Sequence, residues 1–152
     1  MQKTDSIILK YELKRCIDLY SSGILHSPNF IFTQSVFIEL LIRLNDILQT
    51  LSHRGKRIKF ADDVSGKGVK DITDLVNKLR NAACHERTSG ETKFEGNTFI
   101  FNRIVGRINA IKIGDKVIGS DYDDIAFFYG DKKIYLERHV KRLLSEINDC
   151  LG

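Results

Sequence analysis

The segment with the clearest chemical potential runs from Lys78 to Glu86 and reads KLRNAACHE. It contains an arginine, an adjacent asparagine and a histidine, at Arg80, Asn81 and His85. A guanidinium is planar and suits phosphate recognition better than a lysine ammonium does. An imidazole titrates near neutral pH, so it can give or take a proton in a reaction. These residue types are suited to proton transfer beside a phosphate group.

Helical geometry explains how these three side chains can share one pocket. At about 100° per residue, Asn81 and His85 lie one turn apart on the same face of a helix. Arg80 starts roughly 140° from His85, and its long side chain can bend around the helix toward that face. An apolar stripe predicts a helix over residues 69–86, formed by Ile72, Leu75, Val76, Leu79, Ala82 and Ala83.

The segment resembles the ribonuclease motif of the HEPN superfamily, the higher eukaryotes and prokaryotes nucleotide-binding domain. That motif has an arginine, a polar residue that is often asparagine, and a histidine four to six positions beyond the arginine. Arg80, Asn81 and His85 match it in the form R-N-x3-H. The small Ala82 and Ala83 would let another helix approach closely. The resemblance implies an endoribonuclease.

In such an enzyme a ribose 2′-oxygen attacks the adjacent phosphate, which leaves a 2′,3′-cyclic phosphate and a free 5′-hydroxyl without a metal or cofactor. The resemblance implies that His85 transfers protons, Arg80 stabilises the phosphate charge, and Asn81 orients His85 or the phosphate. It also implies a homodimer with a composite site, because two motif copies commonly face each other across a two-fold interface. A toxin or antiviral defence role follows from the same resemblance, with an antitoxin or a companion nucleotidyltransferase as candidate partners.

The chain of 152 residues is expected to form one domain. The predicted fold class is mainly α, a HEPN-like helical bundle with a small antiparallel β insert before the C-terminal helix. Gly23 and Pro28 separate the first two helices. Gly114-Asp115 and Gly130-Asp131 predict turns between strands. The predicted helices cover residues 5–22, 30–51, 69–86 and 134–151, and the insert, where the resemblance is weakest, covers residues 94–133.

A mild excess of basic residues makes an anionic partner plausible. The net charge is +4, from 24 Lys and Arg against 20 Asp and Glu, which is too small to establish nucleic-acid binding. The predicted contacts to the RNA backbone are Arg54, Lys56, Arg57, Lys59 and Arg87. The alternative for the first four is an ordinary basic surface loop.

The sequence predicts a cytoplasmic protein with no membrane span. Charged residues interrupt the longest apolar stretch, Val36 to Leu48, and Met1 to Lys10 lacks a secretory apolar segment. The three cysteines, Cys16, Cys84 and Cys150, lack the paired spacing of a zinc or redox site. Reduced thiols and no metal site are therefore expected.

Other interpretations of the motif stay open. His85 could simply be favoured by the dipole at a helix C-terminus, and Arg80 could pair with Glu86 or Asp74. Asn81 could cap or pack. One alternative function is a noncatalytic HEPN module that binds nucleic acid, a nucleotide or a protein. Another is a structural helical protein that uses its second and terminal helices to oligomerise.

Several other features predict no chemistry. The segment Ser65 to Gly68 lacks the spacing and the preceding strand of a phosphate-binding loop. His26, His53 and His139 have no partners at the spacing of metal ligands. The aromatic run Phe127 to Tyr129 is typical of a buried strand.

Overall fold

The computed structural model describes residues 2–27 and 31–152. Its α-helices are α1, Lys3–Ser21; α2, Thr33–His53; α3, Ile72–Cys84; and α4, Arg142–Leu151. A π-helix, Leu136–Lys141, runs directly into α4, and 3-10 turns occupy Ile24–His26 and Gly90–Thr92. The strands are β1, Lys93–Phe94; β2, Asn97–Thr98; β3, Asn102–Val105; β4, Ile108–Ile113; β5, Lys116–Ser120; β6, Ile125–Tyr129; and β7, Lys132–Tyr135.

The main core lies between the helices and one face of the sheet. Helix α2 packs against both α1 and α3, and α4 packs against α1. Apolar residues at three- and four-residue steps form a buried stripe along α2, as the sequence predicts. The fully or almost fully buried members of this stripe are Phe37, Leu40, Leu41, Leu44, Ile47, Leu48 and Leu51. From the sheet, Phe127 and Tyr129 complete this core.

The strands form three separate antiparallel sheets among the described residues. Strands β3, β6 and β7 make the largest, with β6 in the centre. Strands β4 and β5 form a hairpin, and β1 and β2 form a short ladder of two residue pairs. Both predicted turns are confirmed, because Gly114-Asp115 joins β4 to β5 and Gly130-Asp131 joins β6 to β7. Gly114 and Gly130 adopt the left-handed φ values of 58° and 54° that such turns require.

The predicted fold class, a mainly α bundle with one small β insert, is wrong. The chain is an α+β protein, about 51% helical and 19% strand. Strand β6 is buried on both faces, since Phe127 contacts the helical core while Phe128 faces a second apolar cluster. This second core is built mainly by the strands and comprises Phe94, Ile104, Ile118, Ala126, Phe128 and Tyr135. The β region is therefore a layer with its own core.

The helix limits also differ from the sequence predictions. Helix α3 begins at Ile72 because Asp71 caps it, accepting a hydrogen bond from the Asp74 backbone N–H at 2.9 Å. It ends at Cys84, two residues before the predicted end. Residues 134 and 135, predicted as helix, belong to β7. Pro28 and the predicted start of the second helix at residue 30 lie outside the described residues.

Candidate functional site

The R-N-x3-H segment occupies the C-terminal end of α3. The apolar face of this helix, including Leu79, Ala82 and Ala83, is buried. Arg80 and Asn81 are only half-buried in its last turn, and His85 is an exposed residue immediately after Cys84. Because α2 and α3 pack side by side, the polar end of α3 is attached to a rigid pair of helices.

The Arg80 guanidinium is partly desolvated and only partly bonded. Its Nη1 donates to Asn81 Oδ1 over 3.3 Å. Its Nε is buried and has no hydrogen-bond partner among the described residues. A buried N–H of a charged group is costly to leave without an acceptor. The Arg80 guanidinium therefore has unused hydrogen-bonding capacity at this helix end.

The alternative partners considered for Arg80 are bonded elsewhere. Asp74 Oδ1 accepts from Arg57 Nη2 at 2.8 Å, and Asp74 Oδ2 accepts from the Lys70 backbone N–H. Glu86 Oε1 accepts from Gln34 Nε2 at 3.1 Å. Arg80 therefore forms no ion pair with Asp74 or Glu86 in this structure.

His85 leaves the helix rather than continuing it. Its backbone N–H still donates to the Asn81 carbonyl at 3.0 Å, yet its φ and ψ of −136° and 50° are not helical. Its own carbonyl accepts from Thr88 and Ser89, the latter at 2.7 Å. The premise that Asn81 and His85 share a continuous helix face is thus wrong, because the helix ends one residue too early. The His85 side chain instead projects from an exposed turn.

The turn after His85 is held by a residue that the sequence analysis missed. Gln34, in the first turn of α2, donates to Glu86 across 52 positions of the chain. Tyr129 of β6 also lies near this turn, where burial, with a further contribution from the Glu86 charge, raises the pKa of its hydroxyl to about 12. No local sequence signal connects Gln34 or Tyr129 with the motif.

Most of the predicted RNA contacts lie at the other end of α3. Arg57 binds Asp71 through two hydrogen bonds of 2.9 and 2.8 Å, and Arg54 pairs with Asp5 at 2.8 Å. Lys56 Nζ donates to the Cys150 carbonyl at 3.3 Å. Residues 71 to 85 span about 20 Å at 1.5 Å per helical residue.

These contacts stabilise the folded chain. The hydrogen bonds that Arg57 donates to Asp71 raise the pKa of Arg57. Burial raises the pKa of Asp71, but Arg57 and the backbone N–H groups of Thr73 and Asp74 together outweigh it and hold the pKa of that carboxyl below its usual value. Lys59 is exposed beside the first turn of α3, next to Ile58, whose carbonyl accepts from Thr73. The structure brings only Arg87, of the predicted contacts, to the His85 end.

The remaining histidines and the glycine-rich segment contact other residues of the fold. His53 Nδ1 lies 2.8 Å from the Gln49 carbonyl, and the His26 ring lies 3.7 Å from Glu137. His139 is buried between the Tyr135 N–H and the Asp62 carbonyl. The Lys67 backbone N–H, within the glycine-rich segment, donates to Asp131 at 2.8 Å.

Within residues 2–27 and 31–152, no group of three or more His, Cys, Asp or Glu side chains could hold a metal ion. None of the described helices combines the length and the apolar character needed to cross a bilayer. No family model, curated protein or solved structure matches the chain.

Proposed function

We propose that this protein is a metal-independent endoribonuclease of the HEPN type. The observation that carries the proposal is Arg80, whose half-buried guanidinium is incompletely hydrogen-bonded at the helix end where His85 is exposed. A phosphate oxygen would accept from the accessible N–H groups of this guanidinium, because guanidinium and phosphate form strong charge-assisted hydrogen bonds. The match of Arg80, Asn81 and His85 to R-N-x3-H gives the reaction class.

The proposed reaction is an internal transesterification. The ribose 2′-hydroxyl loses its proton, its oxygen bonds to the adjacent phosphorus, and the bond to the 5′-oxygen breaks. The leaving 5′-oxygen takes up a proton, so the products are a 2′,3′-cyclic phosphate and a 5′-hydroxyl. His85 exchanges these protons. Arg80 donates to the nonbridging oxygens as their charge grows in the transition state.

Asn81 acts on Arg80 in this proposal. Its Oδ1 accepts from Arg80 Nη1, which restrains the guanidinium. This role replaces the expectation that Asn81 orients His85. Restraint of the long arginine side chain before the substrate arrives reduces the entropy lost on binding.

The proposed assembly is a homodimer in which each chain contributes one arginine and one histidine to a shared cleft. Cleavage should then be second order in protein below the dimer dissociation constant, which dilution kinetics measure. We place this activity in the cytoplasm as a toxin or antiviral defence component, with an antitoxin or a nucleotidyltransferase as partner. The free thiols of Cys16, Cys84 and Cys150 support a reducing compartment.

The test is RNA cleavage by the purified protein in the presence of a metal chelator. The wild type should release fragments with cyclic phosphate and 5′-hydroxyl ends, and His85→Ala should not. His53→Ala is the matched control, because His53 is also an exposed histidine at the end of a helix. Full activity of purified, folded His85→Ala would reject the mechanism.

The second candidate is a noncatalytic HEPN module that binds nucleic acid. The feature that favours it is the occupied Asn81 Oδ1, which bonds to Arg80 and so does not orient the exposed His85. A module of this kind would retain an RNA fragment without cutting it. Binding that depends on Arg80 but not on His85, with no new RNA ends, would support this candidate over the enzyme.

A further inference from the structure

A pocket lined by lysines lies beside the helix that carries the motif. It has a volume of about 520 Å³, and Lys67, Lys93, Lys116 and Lys132 line it. We call it the lysine pocket. Four separate segments supply these residues: the loop before α3, the short β1 strand, and the two hairpins β4-β5 and β6-β7. The fold therefore gathers positive charge that is dispersed along the sequence.

Two of the carboxylates at this pocket, Glu91 and Asp131, pair with lysines, whereas Glu95 in the lining is exposed. Lys132 is 3% exposed, and its Nζ lies 2.7 Å from both Glu91 and Asp131. The other Glu91 oxygen accepts from Lys78 of α3 at 3.0 Å. Ion pairing of this kind compensates the buried charges. Around the pocket, the exposed Lys67, Lys93 and Lys116 therefore outnumber the exposed Glu95.

Backbone contacts fix the segment that supplies Lys67. Its N–H donates to Asp131 Oδ2 at 2.8 Å, in the turn between β6 and β7. A Cβ on the preceding Gly66 would lie 3.3 Å from Lys132 Cγ, so the loop sits closely on that turn. The glycines around Lys67 thus serve to bring this lysine to the pocket rim.

Hydrogen bonds and an ion pair link the edge of the lysine pocket to the candidate site. Its lining includes Gly90, and the preceding Ser89 donates its N–H to the His85 carbonyl at 2.7 Å. Lys78 lies in α3, two residues before Arg80. Its ion pair with Glu91 joins the motif helix to the 3-10 turn at the pocket edge.

Resting on the proposed function, we propose that the lysine pocket binds the phosphodiester backbone of the RNA strand flanking the cut. Lys67, Lys93 and Lys116 are exposed and would contact phosphates as point charges. Phe94, the aromatic residue in the lining, is 8% exposed and packs against Phe99. It offers no free ring face for base stacking. The proposed contact between lysines and phosphates therefore depends on charge and not on base sequence.

The test is fluorescence anisotropy with labelled 2′-O-methyl RNA, which the proposed reaction cannot cut. Lys67→Ala/Lys116→Ala should weaken binding about tenfold at moderate salt, equally for two unrelated sequences. The slope of log affinity against log salt should fall by about 1.4, at about 0.7 per lost phosphate contact. The matched control is Lys70→Ala/Lys112→Ala, which removes two exposed lysines from the same loop and hairpin and should bind like the wild type.

Three results would each overturn the proposal that the lysine pocket binds RNA. They are wild-type affinity in Lys67→Ala/Lys116→Ala, an equal loss of affinity in the control, and no RNA binding by the wild type. Equal competition by polyaspartate would also overturn it, in favour of an acidic protein segment. Cleavage is scored separately on ordinary RNA. Lysine-dependent binding without His85-dependent cleavage would support the pocket and contradict the enzyme. Cleavage that depends on His85, without binding that depends on the lysines, would support the enzyme and contradict the pocket.

Discussion

Gln34 in the first turn of α2 donates a hydrogen bond to Glu86, 3.1 Å away, in the turn that follows His85. The bond joins the N-terminal end of one core helix to the C-terminal end of another. Both residues are half-buried, so solvent only partly replaces the contact when it is lost. Gln34 thereby restrains the exposed turn from which His85 projects.

Removing the amide in Gln34→Leu should impair cleavage through positioning. We expect a fall in the free energy of unfolding of about 1 kcal/mol. We also expect kcat to fall roughly threefold to tenfold with little change in KM, because the histidine is less well placed. Urea unfolding and steady-state kinetics measure the two effects. Gln49→Leu, near the other end of α2 and bonded to Asn45 over 3.4 Å, should leave kcat unchanged; an equal loss there would contradict positioning.

Replacing the guanidinium by an ammonium in Arg80→Lys should abolish most of the activity. Lysine keeps the positive charge but lacks an Nε–H and the planar fork. We expect a drop of roughly hundredfold in the cleavage rate, comparable to loss of one transition-state donor. Arg107→Lys is the control, because Arg107 is 69% exposed and only 3.9 Å from Asp123. Retention of activity in Arg80→Lys would mean that charge alone suffices.

The stability of the fold should decline in mild acid through His139. Burial lowers the pKa of this imidazole. The nearby carboxylates raise the pKa, but the effect of burial is larger. Its Nδ1 accepts from the Tyr135 N–H at 3.0 Å, while Nε2 faces the Asp62 carbonyl at 2.9 Å. The unfolded state therefore binds the proton first. The stability contributed by neutral His139 is fully present above the pKa of the imidazole in the unfolded chain, about 6.5. It is lost as the pH falls toward the lower pKa of His139 in the folded protein.

Urea unfolding at a series of pH values measures this loss. Between the two pKa values the slope due to His139 should be about 1.4 kcal/mol per pH unit. His139→Gln should flatten the profile in this window, because its amide cannot titrate. His26→Gln, at an exposed histidine, should keep the wild-type slope. Parallel profiles for the wild type and His139→Gln would contradict the assignment.

Gly130 should tolerate alanine much less well than Gly114. Both have left-handed φ values, so alanine costs each about 1 kcal/mol. At Gly130 the new Cβ would also lie 2.6 Å from the Thr92 carbonyl carbon, whereas at Gly114 nothing lies within 4 Å. We expect Gly130→Ala to lose a further 1 to 3 kcal/mol or so of unfolding free energy in urea. Equal losses at both positions would contradict this close packing.

The sequence was most informative where structure depends on near neighbours. The apolar stripe predicts α3, and the glycines at 114 and 130 predict their turns, because helix periodicity and left-handed φ values are local properties. The sequence predicts an end of α3 two residues too late, because Cys84, His85 and Glu86 include no glycine or proline that would signal a helix end.

Long-range pairing accounts for the other errors. The second core depends on the pairing of β3 with β6, in which Ile104 lies opposite Ala126, and no local pattern specifies that register. Likewise, a run of basic residues does not reveal that Arg57 binds Asp71. Gln34 and the lysine pocket were missed for the same reason, because their contacts join distant segments of the chain.

Cleavage of one defined oligonucleotide tests the central claim most directly. Mass spectrometry, with a chelator present, identifies both new ends of an RNA and of a copy that carries a single 2′-deoxynucleotide at the cut position. We predict a 2′,3′-cyclic phosphate and a 5′-hydroxyl from the RNA, no cut at the deoxynucleotide, and no cut by His85→Ala. Cleavage at the deoxynucleotide, or undiminished cleavage by folded His85→Ala, would contradict a reaction in which Arg80 and His85 promote attack by the 2′-oxygen.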